Sequence, residues 1–90
     1  MHMIVIPLVG EGSEGWGRRA LVEDLLWAHA DPDLGLEHIR VRPTRDGLEV
    51  VALMGGASEA RALLGARSLL NRAGDALAAQ GYAVAAPPLA

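Results

Sequence analysis

Apolar positions recur along the chain with two different periods, and the changes of period divide it into strands and helices. A continuous apolar run is typical of a strand covered on both faces, and strict alternation is typical of a half-buried strand. The strands are predicted at 3–9, 36–43, 48–54 and 82–86, and the helices at about 17–30 and 58–79. The predicted order of elements is therefore β-α-β-β-α-β.

Turn and cap residues separate these elements. Asp46-Gly47, between the second and third strands, predicts a hairpin turn because this pair readily supplies positive φ. Ser58 is the predicted N-cap of the second helix. Gly65 and Gly74 each weaken that helix by about 1 kcal/mol relative to alanine, and they permit the close approach of another backbone.

The first predicted helix has an apolar face and one large apolar residue opposite it. The apolar face consists of Leu21, Val22, Leu25, Leu26 and His29. Glu23 and Asp24 are expected to point away from this face. Trp27 lies about 180° from it at 100° per residue, so its side chain is expected to be exposed. Exposed tryptophan is enriched at interaction hot spots, so Trp27 is a candidate contact. The alternative is that its ring lies over the loop before this helix or over Pro87-Pro88.

Right-handed crossovers would place both helices on one face of the sheet and leave its other face open. The predicted fold class is α+β, a ferredoxin-like sandwich with the antiparallel sheet order 4-1-3-2. Residues 1–90 are interpreted as one domain, with Met1-His2 as a possible cloning remnant and 87–90 as an extended tail. A domain of this size buries only about 60% of its unfolded surface, so a partner subunit would add stability.

The open side of this sheet is predicted to be apolar at its centre. The residues expected to face the helices are Ile39, Val41, Val50 and Ala52. The first strand adds one of two sets to the open side, either Ile4, Ile6 and Leu8 or Val5 and Val9. Because a solvated face would be polar and an exposed apolar patch usually marks a partner surface, we predict partner contacts at Val51, Leu53 and Ile6. Trp27 is predicted as a further contact.

Basic side chains alternate along the second predicted strand. His38, Arg40 and Arg42 share the side of Val51 and Leu53 in this interpretation. An arginine row of this kind can pair with Glu49 across the strands, or it can receive an anionic ligand. For the ligand alternative, the candidate binding residues are His38, Arg40, Arg42, Trp16 and Arg19.

A glycine-rich loop follows the first strand. Gly10, Gly12 and Gly15 match G-x-G-x-x-G, the spacing of a phosphate-cradling loop. Glu11 and Glu14 would repel a phosphate there, and the chain is too short for the doubly wound sheet that holds a dinucleotide. We therefore expect a loop whose acidic residues favour the following helix N-terminus, and which can act as a lid.

Composition excludes several classes of function. The 90 residues are 51% hydrophobic, with a net charge of −3, no Cys and no Phe. No nucleic-acid partner is expected, because an RNA-binding sheet uses stacking aromatics. The absence of Cys and the scattered His residues predict no metal and no cofactor.

The same composition bears on location. No apolar run reaches the roughly 18 residues of a membrane span, and no signal peptide is visible, so a cytoplasmic protein without membrane contact is expected. All 8 basic residues are Arg, which suggests a GC-rich genome such as that of an actinobacterium.

The hairpin VRPTRDGLEVV, residues 41–51, resembles that of acylphosphatases, commonly V-R-N-T-x-D-G-x-V-E-V. Gly15-Trp16-Gly17-Arg18-Arg19 is similar to the end of that family's phosphate loop, which implies a phosphate-binding role for Arg19. The resemblance also implies the β-α-β-β-α-β plan. Pro43 stands at the family's catalytic Asn, and the V-Q-G-V part of the loop is absent, so acylphosphatase activity is not implied.

Two functions remain open from the sequence. The first is a small non-enzymatic module that forms a homodimer, or binds another protein, through the apolar open side of its sheet. The alternative is a small-molecule-binding protein or an enzyme of the dimeric ferredoxin-like, monooxygenase-like type, in which His38, Arg40 and the glycine loop are candidates.

Overall fold

The computed structural model describes residues 1–10 and 16–89, without the side chain of Trp16. Its strands are β1 (His2–Gly10), β2 (Leu36–Pro43), β3 (Gly47–Met54) and β4 (Tyr82–Val84), and its helices are α1 (Trp16–Ala28) and α2 (Glu59–Ala79). A short 3-10 helix, Pro32–Leu34, lies between α1 and β2. The order is the predicted one, although α1 and β4 end earlier than expected. His2, which was interpreted as part of a possible cloning remnant, begins β1 and pairs with Met54.

The four strands form one antiparallel sheet in the order β2-β3-β1-β4. This is the predicted order 4-1-3-2 read from the opposite edge. The helices contact each other, α1 packs on β2, and α2 packs on β1, β3 and β4. The fold is therefore α+β with an open sheet and two helices, which is consistent with the ferredoxin-like type.

One face of the sheet meets the helices in a single core. From β1 it receives Ile4, Ile6 and Leu8, which join Val50 and other buried residues of β2 and β3. The prediction that Ile6 belongs to the partner surface is wrong, because its side chain is 0% exposed in this core. Because residues 3–9 are all apolar, the sequence does not show which side chains of β1 face the helices. The register of β1 with β3 shows that Ile4, Ile6 and Leu8 do.

The α1 helix buries less of its surface than expected. Val22 and Leu26 are fully buried, but Leu21 is 41% exposed. The expectation that Glu23 points away from the core side is also wrong. Its carboxylate accepts a hydrogen bond from Val41 N at 3.2 Å, because α1 lies against β2, which is the edge strand.

Three glycines show which backbone approaches are close. Gly47 does not have positive φ, so the predicted reason for glycine in the hairpin is wrong. A Cβ at this position would overlap the carbonyl oxygen of Leu8 in β1. A Cβ at Gly65 would lie 2.7 Å from Leu34 O, which confirms the predicted close approach of another backbone there. A Cβ at Gly74 would have no atom within 4 Å, so the prediction of a close approach at Gly74 is wrong.

Two polar side chains cap the N-termini of helical segments. Ser58 Oγ accepts a hydrogen bond from Arg61 N at 3.2 Å, as predicted for the N-cap of α2. Asp31 Oδ1 accepts one from Asp33 N at 3.0 Å before the 3-10 helix. That bond lowers the pKa of the Asp31 carboxyl; desolvation opposes the shift, and Arg72, whose Nη1 lies 3.3 Å from Asp31 Oδ2, lowers the pKa further.

Candidate interaction surface

The side of the sheet away from the helices is the candidate site, and the strand register defines it row by row. The rows across β2, β3 and β1 are His38–Leu53–Met3, Arg40–Val51–Val5 and Arg42–Glu49–Pro7. Val9 follows, paired with Gly47 and with Ala83 of β4. We call this surface the open face; its apolar part consists of Met3, Val5, Pro7, Val9, Val51 and Leu53.

The apolar part of the open face is only partly covered. Met3 is 59% exposed and Val9 is 43% exposed. Val5, Val51 and Leu53 are half-buried by their neighbours within the sheet. The prediction that Val51 and Leu53 point away from the helices agrees with this alternation, since their neighbours Val50, Ala52 and Met54 are buried.

Basic side chains form one edge of the open face. His38, Arg40 and Arg42 are exposed along β2. Arg42 forms an ion pair with Glu49 on the neighbouring strand, which confirms the predicted cross-strand pairing at that position. Arg40 lies opposite Val51 and has no ion pair among the described residues. The open face therefore has an apolar centre and a positively charged edge at β2.

The segment after β4 continues along β1 at the other edge of the open face. Ala85 N donates to Pro7 O at 2.8 Å, and Val5 and Leu89 exchange hydrogen bonds of 2.7 and 3.0 Å. We call residues 85–89 the strap. Paired residues of antiparallel strands share a face, so Leu89, which is 64% exposed, extends the row of Val5. The predicted extended tail is thus partly held against the sheet.

Both edges of the sheet are protected. At β2, the outward N–H of Val41 donates to the Glu23 carboxylate. The register of β2 with β3 also shifts between Leu36 and His38. At β1, β4 and the strap cover the outer edge. Bulges, short edge strands and covered edges hinder pairing with another chain, so the open face is the more accessible surface.

The residues predicted to bind a ligand are not brought together. Arg19 belongs to α1 in the helix layer, where it is half-buried and makes contacts, whereas the basic edge lies on the open face. The side chain of Trp16 and the loop residues 11–15, including Glu11 and Glu14, lie outside the described residues. Trp27 is 44% exposed, as predicted, but it lies on α1 and belongs to a different surface from Leu53.

Two grooves lie in the helix layer instead. One, of about 550 Å³, is at the N-terminus of α2, and its lining includes Asp33, Gly35, Gly55, Arg61, Leu64 and Ser68. The other, of about 370 Å³, lies between α2 and the strap and is lined by Arg67, Leu70, Asn71, Val84, Pro87 and Pro88. Neither lining includes His38, Arg40 or Arg42, so the structure does not support those residues as one ligand site.

Other chemistry is sparse in the described part of the chain. Residues 1–10 and 16–89 contain no group of three His, Cys, Asp or Glu side chains that could hold a metal ion. Within the same ranges, no helix is long and apolar enough to cross a membrane. Pro43 is exposed at the end of β2, where it offers no side-chain amide.

Comparison with known proteins adds no relative to this description. No family model, no curated protein and no solved structure matches the chain. The interpretation of the open face therefore rests on its own geometry.

Proposed function

We propose that this chain is a ferredoxin-like, non-enzymatic interaction module that forms a homodimer by packing two open faces together. The observation that carries the proposal is the row Val51–Val5, with Leu53 and Met3 beside it, on adjacent central strands outside the core. Water contact with this apolar surface is unfavourable, and a second copy would remove it.

The size of the open face supports this pairing. Neighbouring strands lie about 4.8 Å apart and rise about 3.3 Å per residue, so three strands of eight or nine residues and the three residues of β4 offer a plane of roughly 450 Å². Two such planes bury about 900 Å², which approaches the area of about 1,000 Å² expected of a specific interface. The occupant we assign is therefore a second copy of this chain, whose face has matching dimensions and chemistry.

Charge selects one orientation of the dimer. A two-fold axis perpendicular to the strands would stack β2 on β2 and bring the two sets of His38, Arg40 and Arg42 together. An axis parallel to the strands places β2 of each copy over the β4 edge of the other. The second arrangement separates the like charges, and the aliphatic stems of arginines can then cover apolar surface.

The test is the substitution Leu53→Asp, measured by analytical ultracentrifugation and native mass spectrometry. We expect the wild type to be a dimer and Leu53→Asp to raise the dissociation constant by more than about 100-fold, because a buried unpaired carboxylate costs several kcal/mol. The matched control is Leu64→Asp, since Leu64 is 61% exposed on α2 in the helix layer. That variant should remain a dimer.

Three results would contradict the proposal. A monomeric wild type at high concentration would show that a second copy does not cover the open face. Dimers that persist in Leu53→Asp would place the interface elsewhere. If Leu64→Asp dissociated while Leu53→Asp remained a dimer, the interface would lie in the helix layer. Circular dichroism of both variants checks that the fold is kept.

A small-molecule-binding role is the second candidate, and the groove at the start of α2 favours it. Its volume of about 550 Å³ lies in the range of ligand pockets. Native mass spectrometry without added ligand tests this role. A retained non-protein mass that is lost in Ser68→Trp would support it, and a clean protein mass after gentle purification would count against it.

A further inference from the structure

The outer edge of β1 is covered in two sections of different construction. Leu8, Val9 and Gly10 pair regularly with β4. Beyond that ladder, the strap alone covers the edge. Val5 N donates to Leu89 O at 2.7 Å, Leu89 N donates to Val5 O at 3.0 Å, and Ala85 N donates to Pro7 O at 2.8 Å. The edge is thus closed at Val5 by one residue of the strap.

The strap is held by few interactions. Leu8 pairs with Val84, and Val5 pairs with Leu89. Between these two pairs, residues 6 and 7 of β1 therefore lie opposite four residues of the strap, 85–88. Pro87 and Pro88 fall in this bulge and have no N–H to add to the ladder. Leu89 remains 64% exposed. A segment with few buried contacts and few hydrogen bonds opens at low free energy, without unfolding of the domain.

The edge beneath the strap is complementary to itself. Val5 directs its N–H and C=O outward, and by the alternation of the strand Met3 does so as well. An antiparallel pairing of two β1 strands about a two-fold axis at Ile4 would place Met3 opposite Val5 of the second copy. Both outward pairs would then exchange hydrogen bonds, and Pro7, which lacks an N–H, would lie outside this ladder.

The composition of β1 favours the same occupant. Residues 3–6, MIVI, which would form the new ladder, contain no charge and no Pro, and an uncharged apolar edge strand is a template for pairing with another chain. The β2 edge, by contrast, carries arginines and the Glu23 cap. Exposure of β1 would therefore open one specific edge of the sheet.

We propose that the strap is a gate on the edge of β1, which excludes β1 of a second copy and so prevents two sheets from joining edge to edge. While Leu89 pairs with Val5, the edge is closed. When the strap is released, two β1 strands pair and join two sheets side by side. This gate does not require the open-face dimer, because edge pairing uses a different surface.

The experiment compares Leu89→Pro with Leu89→Ala in the full chain. Proline removes the N–H that donates to Val5 O, whereas alanine keeps it and removes most of the side chain. In solutions dilute enough that β1 strands of two copies do not pair, we expect hydrogen exchange at the Val5 amide to rise at least tenfold in Leu89→Pro only. At higher concentration, we expect that variant alone to form larger assemblies in ultracentrifugation.

A second background separates this proposal from the proposed function. In Leu53→Asp, which disables the open face, adding Leu89→Pro should double the mass of the main species, and adding Leu89→Ala should not. Unchanged Val5 exchange in dilute Leu89→Pro, where β1 strands of two copies do not pair, would show that Leu89 does not close the edge. Faster Val5 exchange without any added mass would show that a second copy does not use the edge. Either result overturns the gate, and neither depends on whether the wild type is an open-face dimer.

Discussion

The two faces of the sheet are built from the same strands and are both rich in apolar residues, yet they are covered differently. Toward the helices, Ile4 and Ile6 are 0% exposed. On the open face, Met3 is 59% exposed and Val9 is 43% exposed. An apolar side chain stabilises the fold roughly in proportion to the apolar area that packing removes from water. The open face therefore contributes little to folding, and its apolar character is available for association.

The largest expected effect separates the two faces of β1 directly. Ile6→Ala should lower the free energy of unfolding by about 2–5 kcal/mol, because it leaves a cavity between the sheet and the helices. Val5→Ala, one position away on the open face, should cost less than about 1 kcal/mol. Urea unfolding in the Leu53→Asp background measures both without a contribution from dimerisation. Equal costs would show that the two faces are not distinct.

The next effect compares a crowded backbone with an open one. Gly47→Ala should destabilise the domain by about 1–3 kcal/mol, because the added methyl forces β3 away from the Leu8 carbonyl. Gly74→Ala should stabilise it by about 0.5–1 kcal/mol, since the methyl meets nothing and alanine favours the helix. Thermal unfolding of the two variants side by side checks the sign. A neutral Gly47→Ala would contradict the close approach of β1 and β3.

The smallest effect concerns the charged edge of the open face. Arg42 and Glu49 form an exposed ion pair, with side chains 61% and 27% exposed. In the monomeric Leu53→Asp background, a double-mutant cycle with Arg42→Ala and Glu49→Ala should give a coupling of about 0.2–1 kcal/mol in low salt, and less in high salt. Coupling that is larger and independent of salt would mean that this pair is covered, as it would be inside an interface.

Local patterns along the chain predicted much of the fold. Alternation in residues 36–43 and 48–54 identified β2 and β3 and the faces of Val51 and Leu53, because the register of a hairpin is fixed by its turn. The Ser58 cap gave the start of α2, since the first helical N–H groups need an acceptor. These features depend on residues close in sequence, which is why one sequence was sufficient for them.

The candidate site was predicted only in part. Val51, Leu53 and the basic edge lie where alternation placed them. Ile6 does not, because residues 3–9 of β1 are all apolar and show no alternation. Trp27 is exposed as expected but lies on another surface. The strap was missed, since the only local signal was an apolar Leu89 after two prolines.

The sequence by itself determined the order of the elements, the hairpin, the cap of α2 and the apolar character of the whole sheet, because period and turn chemistry are local properties. The tertiary structure alone decided three further features. It turned Ile4, Ile6 and Leu8 toward the helices, brought Glu23 to the β2 edge, and paired Leu89 with Val5. Each joins residues far apart in the chain, and such contacts depend on how the layers pack rather than on any short stretch.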